Sequence, residues 1–433
     1  MRTKKKLKVL YVCPFAHYTG HFSWAAIHET AALAQTGIEV DLLSFCGVTD
    51  QAEVIVPAAT ATQHSNFGTL AYHSANFFRK WGITIWLSMF IETMATLAVA
   101  IRLKSELGYD VIHLRDGEPF LFLPHLLNLS RKNYNWIISI TGSNLVTIAM
   151  QPSLFSAFRK NFRLFLYTIY IKLLTTPLWR PVYRRSMSRN HFVFLTQNEQ
   201  VSKAFELYGG GILAGRIFCL PLGVNRVDRI ITRKEARRYF GLPQNKPIFL
   251  SFGYLHEGKD MVCIFKALKD IPEAFLLHGG DQGFRLHLPN STELMQQYNL
   301  QDRVIIRDYY IPEQEKPYYF FAADAVILSY TRQFLATTSL LWQACRFEIP
   351  VIASDNGQLK ELIHKYHTGL LFKAQDSKSL RKAIMQFINL KPAEIRAMRD
   401  NCHKFGSAYS LKNWATKCHE IYSNLVSGTG LVA

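Results

Sequence analysis

One rhythm, run through twice, constrains the fold more than any other feature of the chain. Short apolar runs of strand length alternate with longer segments of helical period. In the first half the runs are LKVLYVC (7–13), VDLLSF (40–45), DVIHL (110–114), WIISIT (136–141) and FVFLT (192–196). A helix is expected from about His21 to Thr36, ending before Gly37. Near residue 246 the series starts again with PIFLSFG (247–253), AFLLHG (274–279), VIIRD (304–308), AVILS (325–329), PVIAS (350–354) and GLLF (369–372). Unbroken apolar runs separated by helices are what parallel α/β units need. Two series predict two doubly wound domains, joined near Leu220 to Gln244. A length of 433 residues agrees, since it suits two domains of about 200 residues better than one core.

With 49% hydrophobic and 19% charged residues the chain is globular rather than disordered. Its net charge of +18 points to an anionic partner, whether nucleic acid, an acidic membrane or an anionic substrate. From Pro119 to Asn198 there is no acidic residue, but there are ten Lys or Arg, which implies one basic face. The seven cysteines form no C-x-x-C or Cys/His cluster, so a structural zinc is not expected and a reducing, cytoplasmic compartment fits. The opening MRTKKKLKVLYVCPFA superficially resembles a signal peptide. Its apolar run is short and lacks a convincing cleavage site, so Leu7 to Cys13 reads as a buried strand. Ile83 to Ile101 is long enough to suggest a membrane span, but Glu92 lies in its middle, which favours a buried helix on a sheet.

Several segments carry a resemblance to a known family. A strand, a Gly-containing loop and a helix open the chain in YVCPFAHYTGHFSWAAIHETAALAQTGIEVDLL. CLPLGVN (219–225), SFGYLHEGKD (251–260), VIIRDYYIPEQEKPYYFFAADAVILS (304–329), PVIASDNGQLKELIHKYHTGLLF (350–372) and FGSAYSLKNWATKCHEIY (405–422) follow in order. Together they resemble the retaining-type GT-B glycosyltransferases of family 4. The resemblance implies an α/β fold of two Rossmann-like domains facing each other across a cleft. It implies an acceptor-binding N-terminal domain over 1–220, onto which 406–433 crosses back, and a nucleotide-sugar-binding domain over 221–405. The implied activity is sugar transfer from a UDP- or GDP-linked sugar, a co-substrate, with no cofactor and no metal.

Such chemistry must neutralise a pyrophosphate, grip a nucleoside and align an acceptor hydroxyl with the anomeric carbon. Lys259, in the motif that begins SFG with Gly253, is the candidate phosphate cation; the plain alternative is a solvated lysine. Tyr254 stands where the family commonly has an Arg. Thr337, Thr338 and Ser339 precede an apolar helix and suit both its N-cap and a diphosphate site. The family's two Glu of this stretch are replaced by Leu335 and Gln343, of which Gln343 can still hydrogen-bond the donor ribose as a neutral amide. In the first half, HLRDGEP places Arg115, Asp116 and Glu118 after a strand. Asp116, then Glu118, is the candidate carboxylate base that an inverting enzyme needs, though Asp-Gly is also a common turn. Gly142 and Ser143 resemble a family loop that faces the sugar or acceptor. Gly20 and His21, after the first strand, are placed for close backbone approach or simply for a tight turn.

SLFSAFRKNFRLFLYTIYIKLLTTPLWRPVYRR mixes aromatic and apolar residues with Arg159, Lys160, Arg163, Lys172, Arg180, Arg184 and Arg185. This composition suits an element lying on an anionic membrane surface; a core helix with a basic outer side is the alternative. A peripheral enzyme on the inner face of the membrane, building a polysaccharide or glycolipid on a glycan or lipid-linked acceptor, is then expected. Two other readings remain. One is a non-catalytic member of the fold that binds a glycan or partner protein, consistent with the replaced Glu pair. The other is an RNA-binding protein, which only the charge suggests and which no RNP-type aromatic motif supports.

Overall fold

The computed structural model describes residues 6–16, 21–45, 85–117, 134–140, 191–209, 211–225, 227, 231–255, 258–281, 291–332, 334 and 338–428. The chain forms two compact units, Met1–Gly223 with Leu411–Ala433, and Val224–Ser410.

In the first unit the described elements are β1 (Lys8–Val12), α1 (His21–Gln35), β2 (Glu39–Leu43), α2 (Ile85–Leu107), β3 (Val111–Leu114), β4 (Asn135–Ile140), β5 (His191–Thr196), α3 (Glu199–Gly209) and β6 (Ile217–Cys219). The strands form one parallel sheet in the order β2-β1-β3-β4-β5-β6. Every side chain of β3 is buried, as expected of a strand covered on both faces. The direction of winding reverses between β1 and β3, because β2 lies to one side of β1 and β3 onward to the other. Helix α2 covers most of the segment that the sequence favours as a buried helix on a sheet over a membrane span. It packs against β1, with Glu92 buried, and no helix among the described residues is long and apolar enough to cross a membrane.

The second unit runs α4 (Arg233–Tyr239), β7 (Ile248–Phe252), α5 (Met261–Leu268), β8 (Phe275–Gly279), α6 (Ser291–Gln297), β9 (Val304–Arg307), α7 (Lys316–Ala322), β10 (Ala325–Leu328), α8 (Ser339–Arg346), β11 (Val351–Ser354), α9 (Gly357–Tyr366), β12 (Gly369–Phe372), α10 (Ser377–Ile388) and α11 (Pro392–Ala408). Its parallel sheet has the order β12-β11-β10-β7-β8-β9, the 3-2-1-4-5-6 arrangement of a Rossmann fold. The reversal falls between β7 and β10. Side chains set the helix starts: Thr232 with Glu235 forms a capping box on α4, and Asp260 and Asp376 cap α5 and α10. Each such cap is worth about 1 kcal/mol. Arg237 of α4 is fully buried and donates to the carbonyls of Ala322, Pro243, Gln244 and Lys246 and to Asp324. Asp324 also pairs with Arg233 and accepts from the amide of Ile248, so two ion pairs tie α4 to the first strand of this sheet through one carboxylate.

The last helix, α12 (Leu411–Ser427), belongs to the first unit. Its buried residues Trp414, Cys418, Ile421, Tyr422 and Leu425 recur every three or four positions, making a single apolar stripe. That stripe shares a core with Ala26 and Leu33 of α1 and with Val9 and Tyr11 of β1.

Candidate functional site

Ligands of doubly wound sheets bind beyond the carboxyl ends of the strands, where the winding reverses. In the second unit that place is the exit of β7 and β10. Gly253 ends β7 with φ +84°, a left-handed conformation that glycine adopts at no steric cost. The ammonium of Lys259 folds back on this turn and donates to the carbonyl oxygens of Phe252 and Gly253, the latter at 3.0 Å. Lys259 is half-buried, and its backbone bridges to Tyr330 after β10. It is therefore not a solvated surface lysine. Gly280, at the exit of β8, lies so close that a Cβ there would meet the carbonyl of Gly253 at 2.5 Å.

Thr338 caps α8 by accepting from the amide of Leu340 at 3.3 Å, and its hydroxyl also bonds that of Tyr330 at 2.6 Å. Tyr330 is buried and stacked on Phe334 with centroids 4.2 Å apart, so the start of α8 is fixed against the end of β10. A helix N-terminus leaves backbone N–H groups without intrahelical acceptors and carries partial positive charge. Ser339 is the first residue of α8, and Gln343 lies one turn on, its side-chain oxygen buried without a hydrogen-bond partner. Lysine and helix start thus frame one turn of backbone suited to an anion. Tyr254, in the place of the family's Arg, is exposed.

In the first unit the reversal point lies at the exits of β1 and β3, and Arg115 and Asp116 directly follow β3. Both are buried. Asp116 takes φ 55°, so the Asp-Gly turn that sequence suggested is present and directs the carboxylate inward at the same time. Arg115 donates from Nη1 to Asp116 Oδ1 at 2.8 Å, from Nε to Glu29 Oε2 at 3.1 Å and from Nη2 to Glu29 Oε1 at 3.3 Å. The hydroxyl of Tyr11 also donates to Glu29. Asp116 Oδ2 is buried and has no partner. Burial opposes the charge on Arg115, yet Asp116 and Glu29 beside it hold its proton more firmly than usual. Burial pushes the Glu29 carboxyl up, against the pull of Arg115 and Tyr11. His113 of β3 bonds Tyr422 of α12 through Nδ1 at 2.6 Å and Ser139 through Nε2 at 2.7 Å. Burial, with Arg115 nearby, lowers it to about 3. A cavity of about 20 Å³, room for about one water, adjoins Glu29, Arg115, Ser139, Thr196 and Gln197.

The structure thus gathers Gly253, Lys259, Thr338 and Ser339 at one reversal point and Arg115 with Asp116 at the other. Glu29, Tyr11, His113, Tyr422 and Tyr330 were not singled out by sequence. Glu118, Gly20, Gly142, Ser143, Leu335, Thr337, Arg159, Lys160, Arg163, Lys172, Arg180, Arg184 and Arg185 lie outside the described residues. His21 begins α1, but its side chain is likewise outside them. Among the described residues no group of His, Cys, Asp and Glu is placed to hold a metal ion.

Residues 232–407 match the family described as Glycosyl transferases group 1. No curated protein is matched. Solved structures similar to the chain include sucrose-phosphate synthase from Thermosynechococcus elongatus, at 18% identity and TM-score 0.67, covering 98% of this chain and 100% of that one. Anabaena HepE in complex with UDP and glucose is 13% identical at TM-score 0.62, covering 96% of this chain and 99% of that one. WaaG, a glycosyltransferase of lipopolysaccharide biosynthesis, is 11% identical at TM-score 0.61 and covers 96% and 99%. These likenesses place the two Rossmann-like units in the GT-B fold.

Proposed function

We propose that this chain, a glycosyltransferase of GT-B fold whose second unit carries the group 1 domain, transfers a sugar from a UDP- or GDP-linked donor to a hydroxyl of a glycan or lipid-linked saccharide. The observation that carries the reading is the turn at Gly253, bracketed by the Lys259 ammonium and the capped start of α8, at the reversal point of the second sheet. Anabaena HepE, of similar fold, was solved with UDP and glucose, which supports a nucleotide sugar as the ligand.

In the proposed reaction the acceptor oxygen bonds to the anomeric carbon as the bond from that carbon to the diphosphate oxygen breaks. The diphosphate leaves with the bonding electrons. Lys259 and the N-terminus of α8 stabilise its growing charge, while Gln343 serves the donor ribose. Asp116, paired with Arg115 after β3, is the group proposed to take the acceptor proton. The absence of Asp and Glu from Pro119 to Asn198, and the aromatic and basic stretch within it, support a place on the inner face of an anionic membrane. Polysaccharide or glycolipid synthesis, where the acceptor stays at that surface, follows from the same reading.

The test is a thermal-shift screen of UDP- and GDP-linked hexoses on the wild-type chain and on Lys259→Ala, followed by release of nucleoside diphosphate. Loss of a hydrogen-bonded charge costs about 1.5–3 kcal/mol, so affinity should fall about 10- to 100-fold. Unchanged binding by Lys259→Ala refutes the donor assignment.

A further inference from the structure

Among the described residues seven large apolar or aromatic side chains are well exposed, and they divide by type. Leu107, Leu207, Met385 and Val426 lie on four different helices. The other three, Tyr239, Tyr254 and Tyr309, are tyrosines, and all belong to the second unit. Two of them fall in one strip. Tyr309 comes just after β9, the edge strand of the sheet, and is 41% exposed. Tyr239 ends α4 and is 52% exposed. Its ring lies on that of Tyr318 of α7, with centroids 4.4 Å apart and planes 29° from parallel. Tyr239 also meets the buried Phe240 edge-on at 4.9 Å, and Phe240 packs on the buried Tyr319 at 4.7 Å. The hydroxyl of Tyr319 lies 3.4 Å from that of Tyr309. The surface rings are thus seated on core rings, which fixes them at little cost in entropy.

The polar groups of the strip are planar and of both signs. Tyr309 donates to Glu315 Oε2 at 2.7 Å, and Arg307, at the end of β9, is exposed. Partial burial, with Glu315 and Tyr239 close by, raises the Tyr309 phenol, so its hydroxyl keeps its proton. A protein interface is built round an apolar core from which charged residues are depleted. Among the described residues no exposed large aliphatic side chain belongs to α4, α7 or the exit of β9. A pyranose matches the strip better, since it offers a face of C–H groups to a ring and hydroxyls to a carboxylate, a guanidinium or a phenol.

We propose that this strip is a second carbohydrate site, which holds a pyranose chain by stacking on Tyr309 and the Tyr239–Tyr318 pair while Glu315 and Arg307 bond its hydroxyls. The inference rests on the acceptor being a glycan, and it gives the enzyme a means of keeping that chain between transfers. Tyr309 lies on the same edge of the sheet as the donor turn. The exits of β7, β8 and β9 are bonded in a row, Gly253 N to Gly279 O at 2.8 Å and Gly280 N to Arg307 O at 3.0 Å. Two strand spacings, about 10 Å, separate the ends of that row.

The probes are maltohexaose, cellohexaose and chitohexaose, because stacking reads the C–H face of a sugar and tolerates differences of linkage. Each is titrated onto wild type, Tyr239→Ala, Tyr309→Ala and Tyr309→Trp and followed by saturation-transfer NMR. At least one should bind the wild type, with transfer strongest at ring C–H protons. Loss of either ring should weaken that binding about 10-fold, and Tyr309→Trp, which keeps a stacking face, should retain it. Hydrolysis of UDP- or GDP-linked hexoses should be unchanged in all three variants. Should Tyr239→Ala not fold, the Tyr309 pair of variants carries the same comparison. No binding of any hexasaccharide, or binding that survives both alanine variants, overturns the inference. So does a Tyr309→Ala variant that loses nucleotide-sugar binding instead, which assigns the strip to the donor. Self-association that Tyr239→Ala abolishes, with no saccharide bound, overturns it in favour of an interface between copies. A chain that binds hexasaccharides through these rings but hydrolyses no UDP- or GDP-linked hexose keeps this site and refutes the proposed donors.

Discussion

Lowering the pH from about 7.5 to about 5 should loosen the first unit through a single imidazole. His113 is fully buried between Tyr422 and Ser139, and burial with the neighbouring Arg115 lowers it from its ordinary 6.5 to about 3. Between those two values the unfolded chain binds a proton that the folded chain refuses, so stability falls as pH falls from 6.5 toward 3 and is flat in this respect outside that window. At about pH 5 some 1.5 units of the window have been crossed, which at about 1.4 kcal/mol per unit is about 2 kcal/mol. The replacement to compare is His113→Gln, whose amide can still serve both hydroxyls and does not titrate. Urea unfolding of both proteins, followed by tryptophan fluorescence and circular dichroism at several pH values, measures the difference. Wild type should lose about 2 kcal/mol more than the variant over this range. Equal losses in the two proteins would show that His113 is not held neutral and that its hydrogen bonds do not join β3 to α12 as described.

Gly280→Ala should damage the donor turn without touching a ligand. Its methyl would lie 2.5 Å from the carbonyl of Gly253, backbone that can yield only by moving the loop that Lys259 holds. A stability loss of about 1–3 kcal/mol and weaker nucleotide-sugar binding are expected in calorimetry, and unchanged binding would contradict the close approach of the two exits. Replacing Arg184 and Arg185 together with Glu should weaken sedimentation with anionic vesicles by well over tenfold, since each basic residue near such a surface contributes about 1 kcal/mol. Binding that is unaltered by this reversal would remove the support for a membrane-surface enzyme.

The sheets were readable in the sequence for a physical reason. Strands covered on both faces are mostly apolar, and β3, β7 and β10 are continuous buried runs, as is β1 after Lys8. β6 escaped because Ile217–Cys219 is three half-buried residues at a sheet edge, too short to display a period. The positions of Lys259, soon after a recognisable strand, and of Thr338, as the cap of an apolar helix, could be read from local pattern. Glu29 could not, since an acid in a helix beginning HFSWAAIHET is ordinarily solvated. Its burial follows from Arg115, which lies 86 residues away along the chain. Tyr11 and His113 read as plain strand residues; their contact depends on the parallel pairing that sets Tyr11 beside His113. Tyr422 joins them across 309 residues, a relation that no local pattern carries.

The return of α12 to the first unit also dictates an order of events during synthesis. β1, α1 and β3 leave the ribosome early, but the side chain that closes over His113 is Tyr422, encoded after the whole of the second unit. At about 5–20 residues per second the nascent first sheet waits on the order of 10–40 s with that flank open to water and chaperones. The second unit, contiguous from Val224 to Ser410, has no such delay. A chain that starts at its N-terminus therefore completes its middle first, and its opening half can finish folding only once α12 has emerged.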